Sequence, residues 1–462
     1  MTPAGPVVID FDGILSQYTG NAILDRLLCI AESTSSVDVA REALQKTKSV
    51  LERVDEFSKP VTLNEVAYER ARALARELHI NDVEFKREWL EDNSKRARAE
   101  LEKLDSELSD LLAERVNENL RMQFVELGDH YYDRGDLKNA VANYMRTRDY
   151  CSTPKHIVST CLNVMAVSLE MKNFAHVNIH ATKAHNALDE IAHDDGGVNI
   201  LRAKVFCASG IANLRMNRYK DAALSFTSVP LEIGTSYANV CSARDVALYG
   251  TLCALATFNR TELLDLVLNN KKSAFRAHLE AASDVREVVN NFYDSKYTTC
   301  FAALDGMRLL LTHDLHLREH VAGLYKRIRE RALIQYCQPY ISVDLEVMAS
   351  AFNTSSGDLQ LELATLIESE KISARIDCQS NTLTASSANT RTAVLAQIIA
   401  DGEHHERETR SALLRLSLLR HDVVVRAPNA GDDDGLRAGV KPSRAIGMDL
   451  TMASISERHA MH

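Results

Sequence analysis

The sequence has few residues that interrupt helices and few segments that look like strands. Its 462 residues include only 8 prolines and 18 glycines. Before Ile372 almost no stretch alternates apolar and polar residues as a strand would. Hydrophobic residues make up 45% of the chain and charged residues 26%, as in an ordinary globular protein with a full core. We therefore expect a mostly α-helical protein.

Clustered cysteines are also missing from the sequence, and we expect neither a leader nor a membrane span. The 9 cysteines are scattered without a C-x-x-C pair, which argues against a disulfide framework or a thiolate zinc site and favours a reducing compartment. The first residues lack a basic segment and are interrupted by Asp10 and Asp12, so no signal peptide is predicted. The longest nearly apolar stretch, Val246–Phe258, is shorter than the roughly 20 residues that cross a bilayer.

No catalytic arrangement can be assembled from the motifs present. The sequence has no Gly-rich phosphate loop, no G-x-S-x-G and no nucleophile paired with a base. His176 and His180 have the spacing of a zinc-binding helix, but the glutamate of H-E-x-x-H is missing. His313, His316 and His320 could share a helix face as metal ligands, although a solvated or interface helix is the simpler interpretation. We predict no catalytic residue, cofactor or metal, and keep a hydrolase that uses these three histidines as an alternative hypothesis.

Excess positive charge is also lacking. The formal net charge is -10 and the isoelectric point is near 5.9. A broad surface for nucleic acid or anionic membranes would need clustered Lys and Arg. The charge balance therefore argues against direct binding of either.

The middle of the chain does contain a recognisable repeat. One unit has the L-G-x-x-Y and A-x-x-x-F spacing of tetratricopeptide helix pairs, in which small residues allow close packing and aromatic rings fill the gap. A degenerate unit covers Asn163–Ala184, and a second clear copy follows it. The first copy consists of Leu127, Gly128, Tyr131, Gly135, Ala140 and Tyr144, and the second of Gly210, Leu214, Tyr219, Ala222 and Phe226. Such repeats predict a right-handed helical solenoid that binds other proteins.

The segment before the repeats is predicted to be helical as well. An amphipathic helix covers Ala22–Ala31, and a long helix with a leucine stripe is expected over Ser94–Leu127. A coiled-coil dimer is one interpretation of the stripe. Packing against the chain's own helices is the simpler one.

A small winged-helix module follows the solenoid. One helix ends near Pro339, a second is expected to start at Ser342, and a third follows Ser355, which has capping-box spacing to Asp358. Two short strands, Ile372–Asp377 and Thr382–Thr384, would form the wing. The chain therefore predicts helix, turn, helix and a two-stranded wing.

The third helix of this module has the wrong charge for a DNA reader. From Asp358 to Glu370 it carries acidic residues and no Lys or Arg. Recognition helices contact phosphates and base edges through basic and amide side chains. A protein contact is the favoured interpretation, and a nucleic-acid-associated winged helix stays an alternative.

The C-terminal part of the chain is divided between one helix and a polar tail. Thr392–Leu419 reads as a helix with apolar clusters. Beyond Arg426 the sequence contains GDDDG and GVKPS, and we predict that this tail is disordered.

The order of these elements resembles a known family. A helical array that leads directly into a winged helix is the layout of PCI domains, found in the proteasome lid, the COP9 signalosome and initiation factor three. The segments LGDHYYDRGDLKNAVANYMRTRDYC, RIRERALIQYCQPYISVDLEVMASAFN and KISARID resemble a signalosome subunit, and the resemblance covers residues 17 to 385. The proteasome-lid paralogue has a similar layout and is the alternative.

The resemblance implies a division of the chain into five parts. These are an N-terminal helical arm at 1–90, tetratricopeptide-like repeats at 91–240, a PCI domain at 241–385, a C-terminal bundle helix at 386–425 and a tail at 426–462. Within the PCI domain, helical repeats would extend to about residue 325 and the winged helix would occupy 326–385.

The resemblance also implies a non-catalytic scaffold, because the metalloprotease of the signalosome belongs to another subunit. The complex removes a ubiquitin-like modifier from cullins, so the implied partners are other PCI subunits, subunits two and three among them, the C-terminal helical bundle and, through the complex, cullin-RING ligases. The expected location is the nucleus and cytoplasm, without contact to nucleic acid or membrane. The implied interface residues are Ile372, Ala374, Arg375, Ile376, Asp377, Thr382, Leu383 and Thr384 in the wing, and Leu413, Leu414, Leu416, Leu418 and Leu419 in the last helix.

Overall fold

The structure is a computed structural model of the whole chain. It describes residues 10–34, 36–52, 64–80, 82–83, 85–114, 116–191, 196–234, 236–269, 275–386 and 390–421. The chain forms two compact units, Met1–Ser386 and Ser387–His462. The predicted tail at 426–462 lies outside the described residues, and the predicted domain boundaries stay a prediction.

The N-terminal arm has a small hydrophobic core of its own. Its helices are α1 (Phe11–Gln17), α2 (Asn21–Ser33), α3 (Val37–Leu51) and α4 (Glu65–Glu77). Leu24, Leu27, Leu28 and Leu44 are fully buried among them, as is the ring of Tyr68. Burying a leucine side chain stabilises the folded state by about 1.5–3 kcal/mol, and several leucines contribute in this way to the stability of the arm.

In the repeat region, each helix packs against the next helix along the chain. These helices are α5 (Arg87–Glu114), α6 (Asn117–Asp133), α7 (Leu137–Arg146), α8 (Pro154–Glu170), α9 (Phe174–Asp189), α10 (Gly196–Arg215) and α11 (Tyr219–Thr227). The single helix expected over Ser94–Leu127 is wrong, because α5 ends at Glu114 and α6 begins at Asn117. The leucine stripe of α5 packs on α6, where Gln123 Nε2 donates to Leu104 O at 3.0 Å.

Close packing of a glycine on an aromatic ring holds the predicted repeat pairs together. A Cβ placed at Gly128 would lie 2.4 Å from the ring of Tyr144, and one at Gly210 would lie 2.8 Å from the ring of Phe226. No side chain fits at such distances. The spacing predicted from the sequence is therefore confirmed, and Gly250 repeats the arrangement against Phe275 at 2.7 Å.

The second half of the solenoid leads to the winged helix. Its helices are α12 (Ala243–Thr257), α13 (Arg260–Leu263), α14 (Phe275–Ala281), α15 (Ser283–Tyr293), α16 (Tyr297–Thr312) and α17 (Val321–Cys337). A π-helical turn, Leu264–Leu268, extends α13. One continuous hydrophobic cluster connects the repeats to the winged helix, from Val158 to Leu383.

The arm is fixed to the solenoid by a buried polar cluster. The Arg26 guanidinium donates to the Asp245 carboxylate at 2.9 Å, and the Tyr18 hydroxyl donates to the same carboxylate at 2.7 Å. The guanidinium also lies 3.9 Å from the centroid of the Tyr18 ring. Burial lowers the pKa of Arg26, but Asp245 together with Tyr249, Tyr18 and Asp314 outweighs burial and holds that pKa well above its ordinary value. Arg26 therefore stays charged in the interior, paired with the first turn of α12.

The winged helix contains three strands where the sequence predicted two. After α17 come β1 (Ser342–Asp344), α18 (Leu345–Ala351), α19 (Ser356–Glu368), β2 (Ala374–Asp377) and β3 (Thr382–Ala385). The helix expected to start at Ser342 is wrong, because Ser342–Asp344 pairs with β3 as a strand. Val343 is buried between exposed neighbours, which is the pattern of a short strand on a core.

The second unit contributes one described element, α20 (Thr390–Arg420). It confirms the helix predicted over Thr392–Leu419. Together with the solenoid and winged helix it confirms the expected fold class. Of the described helices, none combines the length and the apolar character needed to cross a membrane.

Candidate subunit interface

Side-chain caps set the geometry of the winged helix. The Asp344 carboxylate accepts from the Glu346 N–H at 2.8 Å and begins α18 at the end of β1. Ser355 Oγ accepts from the Asp358 N–H at 3.2 Å, as its spacing predicted. A Ser or Asp cap contributes about 1 kcal/mol, and here each one also fixes the direction in which the helix leaves the preceding segment. The two caps orient α18 and α19 against the sheet.

The sheet has the strand order β1-β3-β2, with both pairs antiparallel. Thr384 lies opposite Ser342 on one side and opposite Arg375 on the other. The predicted wing strand Thr382–Thr384 is therefore the central strand. Its main chain is paired on both sides, so only β1 and β2 can present a free edge.

The direction of the main-chain groups along β2 follows from the hydrogen bonds at its end. The Ser386 N–H donates to Ser373 O at 2.9 Å, so Ser373 points its main chain at β3. Groups alternate along an antiparallel strand, so Arg375 and Asp377 also face β3. Ala374 and Ile376 point their N–H and C=O groups outward, and within the described residues nothing bonds to these groups.

The predicted interface residues of the wing divide between two faces. Ala374 and Leu383 are buried, and Ile376 is half-buried on the same core-facing side. Arg375 and Thr384 are exposed on the opposite side and Thr382 is half-buried. Ile372 lies before β2 rather than in it and packs against the core. Side-chain contacts with a neighbour are therefore available at Arg375 and Thr384, and main-chain contacts at Ala374 and Ile376.

Asp377 belongs to the turn that joins β2 and β3. Its carboxylate accepts from the Gln379 N–H at 3.0 Å and from Ser380 Oγ at 2.7 Å. These bonds, that of Ser380 first, hold the pKa of Asp377 below its ordinary value. The residue stays charged and keeps the turn closed, which is a structural role beside its predicted one.

The outward side of α19 is acidic and apolar in the structure. Glu362 is drawn toward α17, where its carboxylate accepts from Arg329 Nε at 2.8 Å. Leu361 is 69% exposed and Glu368 is exposed as well. Without a cation, this side offers no attraction for phosphates.

The leucines of α20 surround the helix instead of forming one side. Successive residues on an α-helix are rotated by about 100°, so Leu413, Leu414, Leu416, Leu418 and Leu419 point in all directions. Leu413–Leu419 therefore do not share one side of the helix, and their role in a bundle stays a prediction. Leu413, Leu414 and Leu416 are each 60% or more exposed. A helix that is apolar all round is stable when other elements cover it on every side.

The histidines that suggested a metal site do not converge. His313 Nδ1 lies 2.7 Å from Ser33 Oγ, and His320 Nδ1 lies 3.1 Å from the Tyr219 hydroxyl. His316 stacks edge-on to Tyr249, and burial lowers its pKa to about 3. The three residues lie in turns between α16 and α17, so the solvated or interface helix expected there is wrong and each ring has a separate packing role.

The rings of His176 and His180 do lie together, 4.6 Å apart. Ser168 Oγ lies 2.9 Å from His176 Nδ1, and burial lowers the pKa of His180 to about 4. Neither has a third ligand, because the described residues contain no group of three or more His, Cys, Asp or Glu able to hold a metal.

Comparison with known proteins agrees with this architecture. A family model described as 26S proteasome subunit RPN7 matches residues 86–266, and a PCI domain model matches residues 307–387. COP9 signalosome complex subunit 1 of Arabidopsis thaliana is 42% identical over 339 residues, which are 73% of this chain and 75% of that protein. The chain belongs to the COP9 signalosome subunit 1 family. The family member from Emericella nidulans is 31% identical over 449 residues, 92% of this chain and 86% of its own length.

The proteasome paralogue is the weaker match. The 26S proteasome non-ATPase regulatory subunit 6 homolog of Arabidopsis thaliana is 24% identical over 202 residues, 44% of this chain and 51% of that protein. Both families share the PCI layout, but the signalosome subunit 1 family matches more of the chain at higher identity. The alternative assignment to the proteasome lid is therefore disfavoured.

Sequence reasoning missed the strand β1, which makes β3 central and leaves β2 at the edge. A signal was present in the polar, apolar, polar order of Ser342, Val343 and Asp344 after Pro339. Ser342 was assigned to a helix because Ser and Asp are both common at helix starts. The true cap is Asp344, two residues later.

Proposed function

We propose that this chain is a non-catalytic scaffold subunit of the COP9 signalosome, the complex that deneddylates cullin subunits of cullin-RING ligases. The single observation that carries the proposal is the free outer edge of β2 in a chain of the signalosome subunit 1 family. The proposed neighbours are other PCI subunits, subunits two and three among them. Cullin-RING ligases would be reached through the complex, in the nucleus and cytoplasm.

The edge of β2 is suited to pairing because its polar groups are unsatisfied by the fold. The outward N–H and C=O groups of Ala374 and Ile376 are the template on which another strand can add. The opposite edge, β1, has only three residues and runs directly into α18. β2 therefore supports a longer ladder than β1 does.

Replacing Ala374 by proline tests this pairing. Proline removes the outward N–H of Ala374, whereas the same change at Arg375 would break the bond to β3 and damage the wing itself. We expect Ala374→Pro to reduce co-purification of the other signalosome subunits by about tenfold, since a lost main-chain bond and a ring at the interface together exceed 1 kcal/mol.

Ala374→Val is the matched control for this experiment. Valine adds a side chain of similar size but keeps the N–H. If both variants assemble as the wild type does, or if both fail equally, the wing edge is not the pairing surface.

The helix α20 supplies the second proposed contact. Leu413, Leu414, Leu416 and Leu419, near its C-terminal end, are exposed on different sides of the helix, as a member of a helical bundle requires. Leu413→Asp with Leu416→Asp should prevent stable incorporation, because charges at the centre of a bundle are not solvated. Ser411→Asp, in the same helix outside the leucine cluster, should assemble normally, and equal loss for both variants would contradict the bundle role.

A non-catalytic role agrees with the separation of the histidines. His313, His316 and His320 contact different elements, so their rings do not converge on one metal ion. Elemental analysis of the purified chain for bound metal checks this directly. Stoichiometric zinc would favour the hydrolase hypothesis.

A further inference from the structure

A groove beside the wing is the strongest feature that the scaffold role does not use. It lies between the last turn of α17, the junction of α12 and α13, and the end of the sheet where β2 begins. Its volume is about 840 Å³, within the range of protein sites that bind ligands. Apolar side chains on its wall are Ile334, Cys337, Val343, Ile372, Ala374 and Leu383.

Among the described residues, three cations and no carboxylate line this groove. The cations are Arg260, Arg331 and Lys371, in a protein whose net charge is -10. Lys371 donates to the Glu330 carboxylate at 2.5 Å and is neutralised by it. The lining therefore differs in charge from the protein as a whole.

The two guanidinium groups have only neutral partners among the described residues. Arg331 donates to Phe258 O at 3.2 Å and to the side-chain oxygen of Asn259. Arg260 donates to Ser295 Oγ at 3.4 Å and lies 4.8 Å from the centroid of the Tyr293 ring. Both charges are held in place without a carboxylate. A ligand carboxylate would gain a charge-assisted bond at either one without displacing an existing ion pair.

We propose that this groove binds an acidic peptide segment of a partner protein that carries at least one large apolar side chain. The apolar residue occupies the space between Ile334 and Leu383, and flanking carboxylates contact Arg260 and Arg331. A peptide fits better than a nucleic acid because the wall of the groove is apolar and a peptide can place an apolar side chain against it. Tyr340 is 54% exposed and Ile341 is 84% exposed at the same end of the sheet, where a bound segment would cover them.

Selection of displayed peptides on the purified full chain tests this proposal without the other subunits. The probe is a library of random peptides of about eight residues, an extended length of roughly 26 Å. We expect enrichment of peptides that combine Asp or Glu with a large apolar residue. Failure to enrich any peptide, or enrichment of basic or purely polar ones, would overturn the proposal.

Paired variants show whether the enriched peptide uses the groove. Arg260→Glu with Arg331→Glu should weaken its binding, measured by fluorescence anisotropy, by about tenfold or more. Arg260→Lys with Arg331→Lys loses the same guanidinium contacts but keeps both charges, and should bind within about threefold of the wild type. Arg286→Glu, an exposed charge reversal on α15, should have no effect.

The remaining outcomes each contradict the proposal. Equal weakening by the Glu and Lys pairs would mean that local structure, and not charge, was lost. Equal weakening by Arg286→Glu would mean that binding follows overall charge. Tighter binding of a duplex DNA probe than of the peptide would assign the groove to phosphates. None of these results depends on complex assembly, so they are separate from those of the Ala374→Pro experiment.

Discussion

The junction between the N-terminal arm and the solenoid differs from the wing in whether its polar groups have hydrogen-bond partners. At the junction, Arg26, Asp245 and Tyr18 are buried and bonded to one another. At the wing, the outward main-chain groups of Ala374 and Ile376 have no partner within the described residues, although they border a hydrophobic core. Each of the two sites joins elements far apart in sequence, but among the described residues only the first has partners for these polar groups.

The first arrangement is typical of a permanent contact within one chain, and the second is typical of a surface that another chain can bind. A buried ion pair is specific but costly to desolvate, so it is useful where its partner is always present. An open strand edge costs little while water bonds to it and becomes valuable when a second strand arrives. The buried ion pair therefore suits a permanent attachment of the arm to the solenoid, and the wing edge is suited to assembly.

Loss of Arg26 should have the largest effect on stability. Arg26→Ala leaves the Asp245 carboxylate buried without its cation, which costs about 3–5 kcal/mol in the free energy of unfolding. Arg244→Ala is the matched control, because Arg244 pairs with Asp284 at the same 2.9 Å but both side chains are about half exposed. The control should cost less than about 1 kcal/mol. Denaturant unfolding measures both, and equal costs would show that the junction is no tighter than the surface.

Crowding the repeat helices should have an intermediate effect. Gly210→Ala forces a Cβ against the ring of Phe226 and should cost about 1–3 kcal/mol. Gly306→Ala, in α16 with open space around it, should stabilise by about 0.5–1 kcal/mol, since alanine favours a helix. A destabilised Gly306→Ala or a neutral Gly210→Ala in thermal unfolding would contradict the packing.

These glycines show why part of the fold was readable from the sequence. Gly128 and Gly210 recur with Tyr144 and Phe226 at one spacing, since every helix pair in a repeat meets the same steric demand. Residue type and spacing therefore predicted the solenoid and both Gly–aromatic contacts.

The edge of the sheet could not be read in the same way. Which strand is central depends on pairing between Ser342 and Thr384, which are far apart in the chain. The local sequence of a short strand indicates its structure only weakly. A residue such as Asp344 is compatible both with the end of a strand and with the start of a helix. The separation of His313, His316 and His320 likewise depends on contacts with distant elements. In α20, by contrast, the spacing of the leucines in the sequence already implies that they surround the helix.

The smallest predicted effect is a pH dependence where α8 meets the arm. Glu170 lines a cavity of about 120 Å³ with Asp25, and accepts a hydrogen bond from Tyr132. Burial first, and Asp25 second, raise the pKa of Glu170 to about 8 from 4.5. The folded state then binds more protons than the unfolded state between these values, so stability falls as pH rises through that range.

Glu170→Gln removes this titration and keeps an acceptor for the Tyr132 hydroxyl. We expect the free energy of unfolding to fall by about 1 kcal/mol less in the variant than in the wild type between pH 5 and pH 8, because only the wild type loses a proton at residue 170 in this range. Asp133 is a neighbouring carboxyl whose pKa burial raises to about 6, so the difference between the two proteins is the informative quantity. Parallel pH curves for the two would contradict the account.

Hydrogen exchange at single amides of β2 tests most directly whether the wing is completed by another chain. Arg375 and Asp377 face β3, so their amides should already exchange slowly in the isolated subunit. The amides of Ala374 and Ile376 face outward, and they should exchange fast in the isolated subunit and slowly in the assembled signalosome. Fast exchange at both residues within the complex would contradict the proposal that a neighbouring strand pairs with β2.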